Sequence, residues 1–183
     1  MTPASPVLGI LQERFRGSIL ETHAFRGDET VVVRKEQTHA VLEFLRDDPR
    51  LRFNFLMDLT AVDWLDRRPR FDVVYHLYSL HYNRRLRVKT QVGDGEAVDS
   101  VTDLWKVANW LEREVFDMFG IRFRHHPDLR RILMYDEFQG HPLRKDYPLR
   151  GEQPRIPYRI QPRDPWRDPD RWRPSNESEP ETT

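Results

Sequence analysis

The most regular stretch of this sequence is residues 104–119, where apolar side chains recur every three or four positions. Such spacing places one apolar stripe along a helix, and Gly120 follows where helices commonly end. Ser100 and Asp103 have the spacing of a capping box before the first turn. The pattern predicts an amphipathic helix with its apolar face buried. The apolar positions are Leu104, Val107, Ala108, Leu111, Val115, Met118 and Phe119.

Seven further elements precede this helix in the prediction. Helical spacing and β-prone runs separated by turn residues distinguish the two kinds of element. The resulting order is α-β-β-α-β-β-β-α, which favours an α+β fold with helices packed on a mixed or antiparallel sheet. The predicted helices lie at residues 7–15 and 37–46, and the predicted strands at 18–25, 30–34, 53–62, 71–82 and 85–92.

The composition changes after residue 149, which divides the chain into a domain at residues 1–149 and an arm at 150–183. Seven of the fourteen prolines lie in residues 151–183, and proline is incompatible with helix interiors and central strands. One interpretation is a disordered tail. The aromatic residues Tyr158, Trp166 and Trp172 favour another, an extended arm that fills pockets on a partner. The last residues are expected to be disordered.

The composition excludes several classes of protein. The chain has no cysteine, which removes thiolate metal sites, a cysteine nucleophile and disulfides. Its 30 basic and 30 acidic residues balance, whereas a nucleic-acid-binding protein usually shows a basic excess. No run approaches the roughly 18 apolar residues of a membrane helix, and the first residues do not resemble a targeting peptide. We therefore expect no nucleic-acid partner and only an indirect association with a membrane.

The charged residues 112–134 are the strongest candidates for chemistry. Glu112 and Glu114 lie about 160° apart around a helix, so they do not form a catalytic pair. Arg113 is expected on the outer face, with Asp117 as its partner four residues later. These charges are predicted to clamp the edges of the helix rather than to act on a substrate.

Metal and phosphate sites are also disfavoured. His125 and His126 are adjacent, so their side chains tend to diverge, and the other histidines have no ligand spacing. Residues 140–148 combine glycine with two cations but lack a phosphate-binding loop motif. Arg144 beside Asp146 is expected to anchor an irregular segment by a charge-assisted hydrogen bond. We predict no catalytic, cofactor-binding or metal-binding residue.

Two motifs resemble the C subunit of the proton-pumping NADH–quinone oxidoreductase, respiratory complex I. The first begins with Glu-Arg-Glu and ends with an aliphatic pair, and the second is the stretch at residues 140–149, GHPLRKDYPL. Every position of the first motif matches in order. Its residues here are Glu112, Arg113, Glu114, Asp117, Met118, Phe119, His126, Arg130, Ile132 and Leu133.

The resemblance implies a non-catalytic structural subunit of the peripheral arm, on the cytoplasmic side of a bacterial inner membrane. Its implied partners are the quinone-site subunit, related to hydrogenase large subunits, and other peripheral-arm subunits. FMN and iron–sulfur clusters would belong to other subunits. The whole complex transfers electrons from NADH to a quinone and translocates protons, and this chain is an enzyme only as part of it.

The motif residues then have two possible roles, internal pairing within the chain or direct contact with a partner. The segment after His126 and Pro127 is expected to be extended, because a residue that precedes proline avoids the helical region. The residues assigned to either role are Glu112, Arg113, Glu114, Asp117, His126, Arg130, Arg131, His141, Arg144, Lys145 and Asp146.

Two other functions remain open at this stage. One is the equivalent subunit of a membrane-bound hydrogenase, a formate-oxidising complex or a photosynthetic NDH-type complex. The other, from a different class, is a free-standing soluble enzyme that uses His125, His126 or Glu114. Turnover or metal binding by the isolated chain would distinguish the second from a structural subunit.

Overall fold

A computed structural model describes residues 6–153, which form three α-helices, seven strands and one short 3-10 helix at Lys35–Gln37. The order of the longer elements confirms the predicted α+β class and the predicted sequence of helices and strands. The helices are α1 (Pro6–Arg14), α2 (Thr38–Asp47) and α3 (Ala108–Phe119); the strands are β1 (Ile19–Phe25), β2 (Asp28–Val33), β3 (Phe55–Asp63), β4 (Phe71–Ser79), β5 (Arg84–Val92), β6 (Ala97–Asp99) and β7 (Arg122–Arg124).

Five strands form a mixed sheet in the spatial order β1-β2-β5-β4-β3. Neighbouring strands run antiparallel except for β2 and β5, which are parallel. The parallel pair requires a long crossover, and α2 together with the β3–β4 hairpin provides it. Strands β6 and β7 form a separate parallel pair. Each has only three residues, and the sequence analysis missed both.

The hydrophobic core lies between one face of this sheet and the helices. Alternate residues of β4, which lies next to the central strand β5, are fully buried in it, as Val73, Tyr75 and Leu77 show; the two-residue repeat of a strand requires this. Helix α2 contributes Leu42 and Leu45 to the same core. This face of the sheet is therefore the internal one, and α3 packs against β3 at its edge.

Helix α3 begins later than predicted. Residues 102–104 and 106–107 form turns, and the first helical residue is Ala108. The predicted capping box is wrong, because the Ser100 hydroxyl accepts the Thr102 N–H at 3.2 Å and the Ser100 N–H donates to the Arg124 carbonyl at 2.9 Å. The predicted end is confirmed, since Gly120 has φ 78° and donates its N–H to the Phe116 carbonyl.

The chain after β7 contains neither helix nor strand as far as Gln153, where the description ends. It was predicted to be extended, but it folds through successive turns instead. Leu129 and Met134 pack against the core, and the Leu143 N–H donates to the Met118 carbonyl at 3.1 Å. These contacts fasten the irregular segment to α3.

Most of the predicted arm, including Tyr158, Trp166 and Trp172, lies outside the described residues. Among residues 6–153, no helix combines the length and the apolar character needed to cross a membrane.

The position of Leu77 in the core predicts a large stability loss on truncation. Leu77→Ala should lower the free energy of unfolding by about 2–5 kcal/mol, because it leaves a cavity under the helices. Leu80→Ala is the matched control, since Leu80 is 63% exposed. Urea unfolding of both variants measures the difference, and equal stabilities would contradict this assignment of the core face.

Candidate functional site

The carboxylate of Asp117, near the end of α3, is the centre of the site. Its side chain is fully buried, and Oδ2 accepts the consecutive backbone N–H groups of Ile132, Leu133 and Met134 at 3.1, 2.8 and 2.8 Å. Oδ1 accepts a hydrogen bond from Arg131 Nη1 at 2.7 Å. Burial alone would raise the pKa of Asp117, but these donors outweigh it and hold the pKa below its usual range.

Arg113 is not the partner of Asp117, contrary to the prediction, and it is not on an outer face. It is buried, and its Nε and Nη2 donate to the carbonyls of Arg130 and Arg131 at 3.1 and 3.0 Å. Its guanidinium also lies over the Trp110 ring, 5.3 Å from the centroid. The segment after β7 crosses this side of α3 and turns a predicted solvent face into a buried one.

Glu112 is also buried rather than placed at an edge of the helix. Its Oε1 accepts the Val101 N–H at 2.7 Å, which joins the turn before α3 to the helix. Its Oε2 has no hydrogen-bond partner among the described residues and lies 4.0 Å from His126 Nε2. Burial raises the pKa of Glu112 to about 7, and the one backbone donor offsets this only in part.

The imidazole of His126 is fully enclosed between α3 and the chain that follows β7. Its Nδ1 accepts the Asp128 N–H at 3.0 Å, so the proton of the neutral ring lies on Nε2. That Nε2–H donates to the Asn109 carbonyl at 3.2 Å. His125 is strongly exposed, so the two histidines diverge. His126 therefore holds a turn in place.

A second cluster joins residues 144–146 to the ends of β3 and β4. Arg70 forms two hydrogen bonds of 2.7 Å with buried Asp63 and one of 2.9 Å with Asp146. Arg144 pairs with Asp94 at 2.9 and 2.6 Å and with Asp146 at 3.0 and 3.1 Å. Arg70 and Arg144 hold the pKa of Asp146 well below its usual range. The pairing of Arg144 with Asp146 was predicted; its other partners were not.

Sequence reasoning missed Arg70, Asp63 and Asp94 because the nearest of them lies 50 residues from Arg144 along the chain. One signal was present, since an aspartate and an arginine flank the β3–β4 loop at its two ends. Asp63 also accepts the Lys145 backbone N–H at 2.8 Å, so both carboxylate oxygens are used. The cluster fixes the backbone of the segment while the Lys145 side chain remains exposed.

His141 fastens the segment between the two clusters. Its Nδ1 donates to the Asp117 carbonyl at 2.9 Å, since a carbonyl can only accept. The ring lies over Gly120, where a Cβ atom would approach it to 2.7 Å. Gly120 is thus required twice, for its left-handed backbone and for the space that His141 occupies.

Three of the motif residues face outward. Glu114 is exposed on the side of α3 away from Glu112, Lys145 is exposed, and Arg130 pairs with Asp128 at 2.9 Å on the surface. Within residues 6–153, no three histidine or carboxylate side chains come close enough to hold a metal ion. The geometry therefore brings most of the motif residues together as internal pairs and leaves Glu114, Arg130 and Lys145 facing outward.

Comparison with known proteins identifies relatives of this chain. Residues 31–153 match the model of a family described as the respiratory-chain NADH dehydrogenase 30 kDa subunit. The C subunit of the NADH-quinone oxidoreductase of Geotalea uraniireducens is 54% identical over 150 residues, which are 81% of this chain and 90% of that protein. The corresponding C subunit of Roseiflexus sp. is 53% identical over 80% of this chain and 85% of that protein.

Two solved structures have a similar fold. The trypsin-resistant fragment (1-134) of Nqo5 is 34% identical, with a TM-score of 0.59 over 67% of this chain and 98% of that fragment. A chain of the archaeal membrane-bound sulfane sulfur reductase is 22% identical, with a TM-score of 0.66 over 78% of this chain and 84% of that one. The second similarity concerns the fold alone.

Removing the Asp117 carboxylate should be severely destabilising. Asp117→Ala leaves the Arg131 guanidinium and three backbone N–H groups without their acceptor, so the free energy of unfolding should fall by about 3–5 kcal/mol. Glu114→Ala, on the exposed side of the same helix, should change it by less than about 0.5 kcal/mol. Chemical denaturation of the two variants checks this, and equal losses would contradict the central role of Asp117.

Glu112 should make stability depend on pH. Its pKa is about 7 in the folded chain and near 4.5 when unfolded, so the folded chain retains a proton that the unfolded chain releases between these values. The contribution of this proton to the free energy of unfolding is fully present below pH 4.5 and is lost as the pH rises to 7. The total loss is about 3 kcal/mol. Glu112→Gln should remove this slope from denaturation curves measured across the window. An unchanged slope would show that Glu112 is ionised in the folded chain.

Proposed function

The chain belongs to the family of the respiratory-chain NADH dehydrogenase 30 kDa subunit, and we propose that it is a non-catalytic structural subunit in the peripheral arm of a bacterial NADH–quinone oxidoreductase. In this role it supports the subunit that carries the quinone site, while electrons pass from NADH to quinone and protons are translocated. It lies on the cytoplasmic side of the inner membrane and reaches the membrane only through the complex.

The observation that carries this proposal is the direction in which the motif side chains point. Asp117, Arg113 and Arg131 bond to one another's backbone and side-chain groups, and Arg144 and Asp146 are paired inside the chain. Ion pairs and hydrogen bonds within the chain, as these are, hold a backbone in one conformation rather than activate a substrate. The outcome is an irregular surface segment that is anchored at several points although it has no helix or strand.

That anchored segment presents a mixed basic and apolar surface. Leu133 and Leu143 are exposed, and so are Arg130 and Lys145. Anchored apolar side chains with basic neighbours suit a protein interface, since little conformational entropy is lost when they bind. We assign this surface to the quinone-site subunit, which resembles hydrogenase large subunits. Both roles considered for the motif then apply, internal pairing for the anchors and contact for the outward residues.

The chain supplies no redox group in this proposal. Its sequence has no cysteine for cluster ligation, and FMN and the iron–sulfur clusters belong to other subunits. A free-standing enzyme that uses His126 is disfavoured, because that ring is enclosed and both of its nitrogens hold backbone groups. Relatives at about 50% identity carry the name of the NADH-quinone oxidoreductase subunit, which favours this assembly over related hydrogenase-type complexes.

Co-purification tests the proposed function directly. The tagged chain, extracted from native membranes in mild detergent, should carry with it the quinone-site subunit, the cluster-containing subunits and NADH dehydrogenase activity. A monomer without redox partners would overturn the proposal. Turnover by the isolated chain would instead favour the free-standing enzyme.

Anchoring and contact residues should respond differently to substitution. Arg131→Ala should lower the thermal stability of the isolated chain, because it removes the Nη1 donor of buried Asp117.

Lys145→Glu should leave stability unchanged but slow association with the partner roughly tenfold at low salt, since exposed interface charges act mainly on the association rate. Lys145→Arg is the control that keeps the charge. If the charge reversal Lys145→Glu had no effect on assembly, this assignment of the contact surface would be contradicted.

A further inference from the structure

The five-stranded sheet has a second face, opposite the core. All three helices bury their apolar side chains in one core cluster, which contains Tyr75, Leu86 and Val88. The strand residues between these positions point the other way. In register across β4 and β5, Tyr78 pairs with Arg85, His76 with Arg87 and Val74 with Lys89. We call the surface formed by these six residues the open face.

A basic row runs along the middle of the open face. Arg85, Arg87 and Lys89 are alternate residues of β5, so their side chains emerge on the same side, about 6.8 Å apart. Valines beneath them, Val32 and Val74, are buried although neither belongs to the core cluster. The long stems of the basic side chains account for this, because they cover apolar surface while the charged ends reach solvent.

The contacts of the basic row in the described chain leave its charges available. The Arg85 guanidinium lies over the Tyr78 ring at 5.8 Å, and Arg87 Nη1 donates to the Thr30 hydroxyl at 3.2 Å. Both partners are uncharged. Partial burial and then the charge of Arg87 lower the pKa of His76 below its usual range.

The carboxylates that face this row lie at its margins. Asp58 is opposite His76 on β3, and Asp28 and Glu29 line the other end of a shallow pocket of about 250 Å³ beside Arg85 and Arg87. Because like charges repel, these carboxylates limit the positions that a partner's carboxylates can occupy on the open face. The three cations lie on β5, between the strands that carry these carboxylates.

An apolar border adjoins the row on strand β3, the last strand of the sheet. Phe55 pairs with Tyr78 and Val62 with Asp72, so both project on the side of the open face. Phe55 is 48% exposed and Met57, at the bulge in β3, is 46% exposed. Large exposed apolar side chains beside a row of arginines have the composition of a protein interface.

We propose that the open face binds an acidic, extended segment of another subunit, with alternate carboxylates of that segment facing Arg85, Arg87 and Lys89 and its apolar residues packing on Phe55 and Met57. An extended chain repeats its side chains at the same spacing as β5, which matches the charges one to one. The inference rests on the proposed function only in taking the partner to be a subunit of the same assembly. It adds a second contact surface, distinct from the one around Lys145.

Amine footprinting of the intact complex tests this interface. The chain has four lysines, Lys35, Lys89, Lys106 and Lys145, and acetylation of each can be followed by mass spectrometry. We expect Lys89 to react severalfold more slowly in the purified complex than in the isolated full-length chain. Lys35 is the control for a lysine already paired within the chain, because its Nζ lies 2.6 Å from Glu96.

Zero-length cross-linking identifies what covers Lys89. A carbodiimide should join its amine to an aspartate or glutamate of another subunit. Lys89→Glu should abolish the contact at this position and weaken association of the complex, whereas Lys89→Arg should preserve association. Thermal unfolding of both variants confirms that the chain remains folded. Loss of association for Lys89→Glu with an unchanged melting temperature supports the proposal.

Several outcomes would overturn the inference. Equal reactivity of Lys89 in the complex and in the isolated chain shows that no subunit covers the open face. Slow reaction in the isolated chain means that the chain covers it by itself or by self-association. Protection by phosphatidylglycerol vesicles in place of the complex identifies a lipid surface. In each case, protection of Lys145 in an intact complex would leave the proposed function standing, whereas failure to co-purify would remove it.

Discussion

The acceptor capacity of one buried carboxylate, Asp117, determines how the second half of this chain is arranged. A buried negative charge is tolerated only when it is paired and hydrogen-bonded, and Asp117 meets this condition with three consecutive N–H groups and Arg131. The segment that provides these donors has no helix or strand of its own. Its path over α3, and hence the surface it presents, follows from the need to satisfy that charge.

Two buried carboxylates on the same helix show how much the number of donors matters. Asp117 accepts four hydrogen bonds and its pKa is lowered, whereas Glu112 accepts one backbone N–H and its pKa is raised to about 7. Burial disfavours the charged form of both. The difference in surroundings gives them different roles, since Asp117 organises the chain as an anion and Glu112 can be buried as a neutral acid. His126, beside Glu112, contributes by holding backbone groups.

The two faces of the sheet have different surroundings and different proposed roles. One face packs the helices and, through α3, carries the anchored segment that we assign to the quinone-site subunit. The other bears the basic row of Arg85, Arg87 and Lys89 beside an apolar edge strand. Strand β4, the neighbour of the central strand β5, is buried along most of its length, because helices cover one face and the long basic side chains of β5 cover part of the other. In the proposed assembly, the domain thus contacts two neighbouring subunits through separate surfaces.

The sequence by itself determined the types and order of the eight longer elements and the end of α3 at Gly120, because these depend on local periodicity and backbone preference; it did not indicate the three-residue strands β6 and β7. It also identified the pairing of Arg144 with Asp146, two residues apart. Only the tertiary structure decided that Arg113 is buried, that Asp117 pairs with Arg131 and that α3 begins at Ala108. Helical periodicity marks Arg113 as exposed because it reports only on the helix itself. Which charges become buried, and which donors reach them, depends on a segment that crosses the helix from elsewhere in the chain, and no local pattern contains that information.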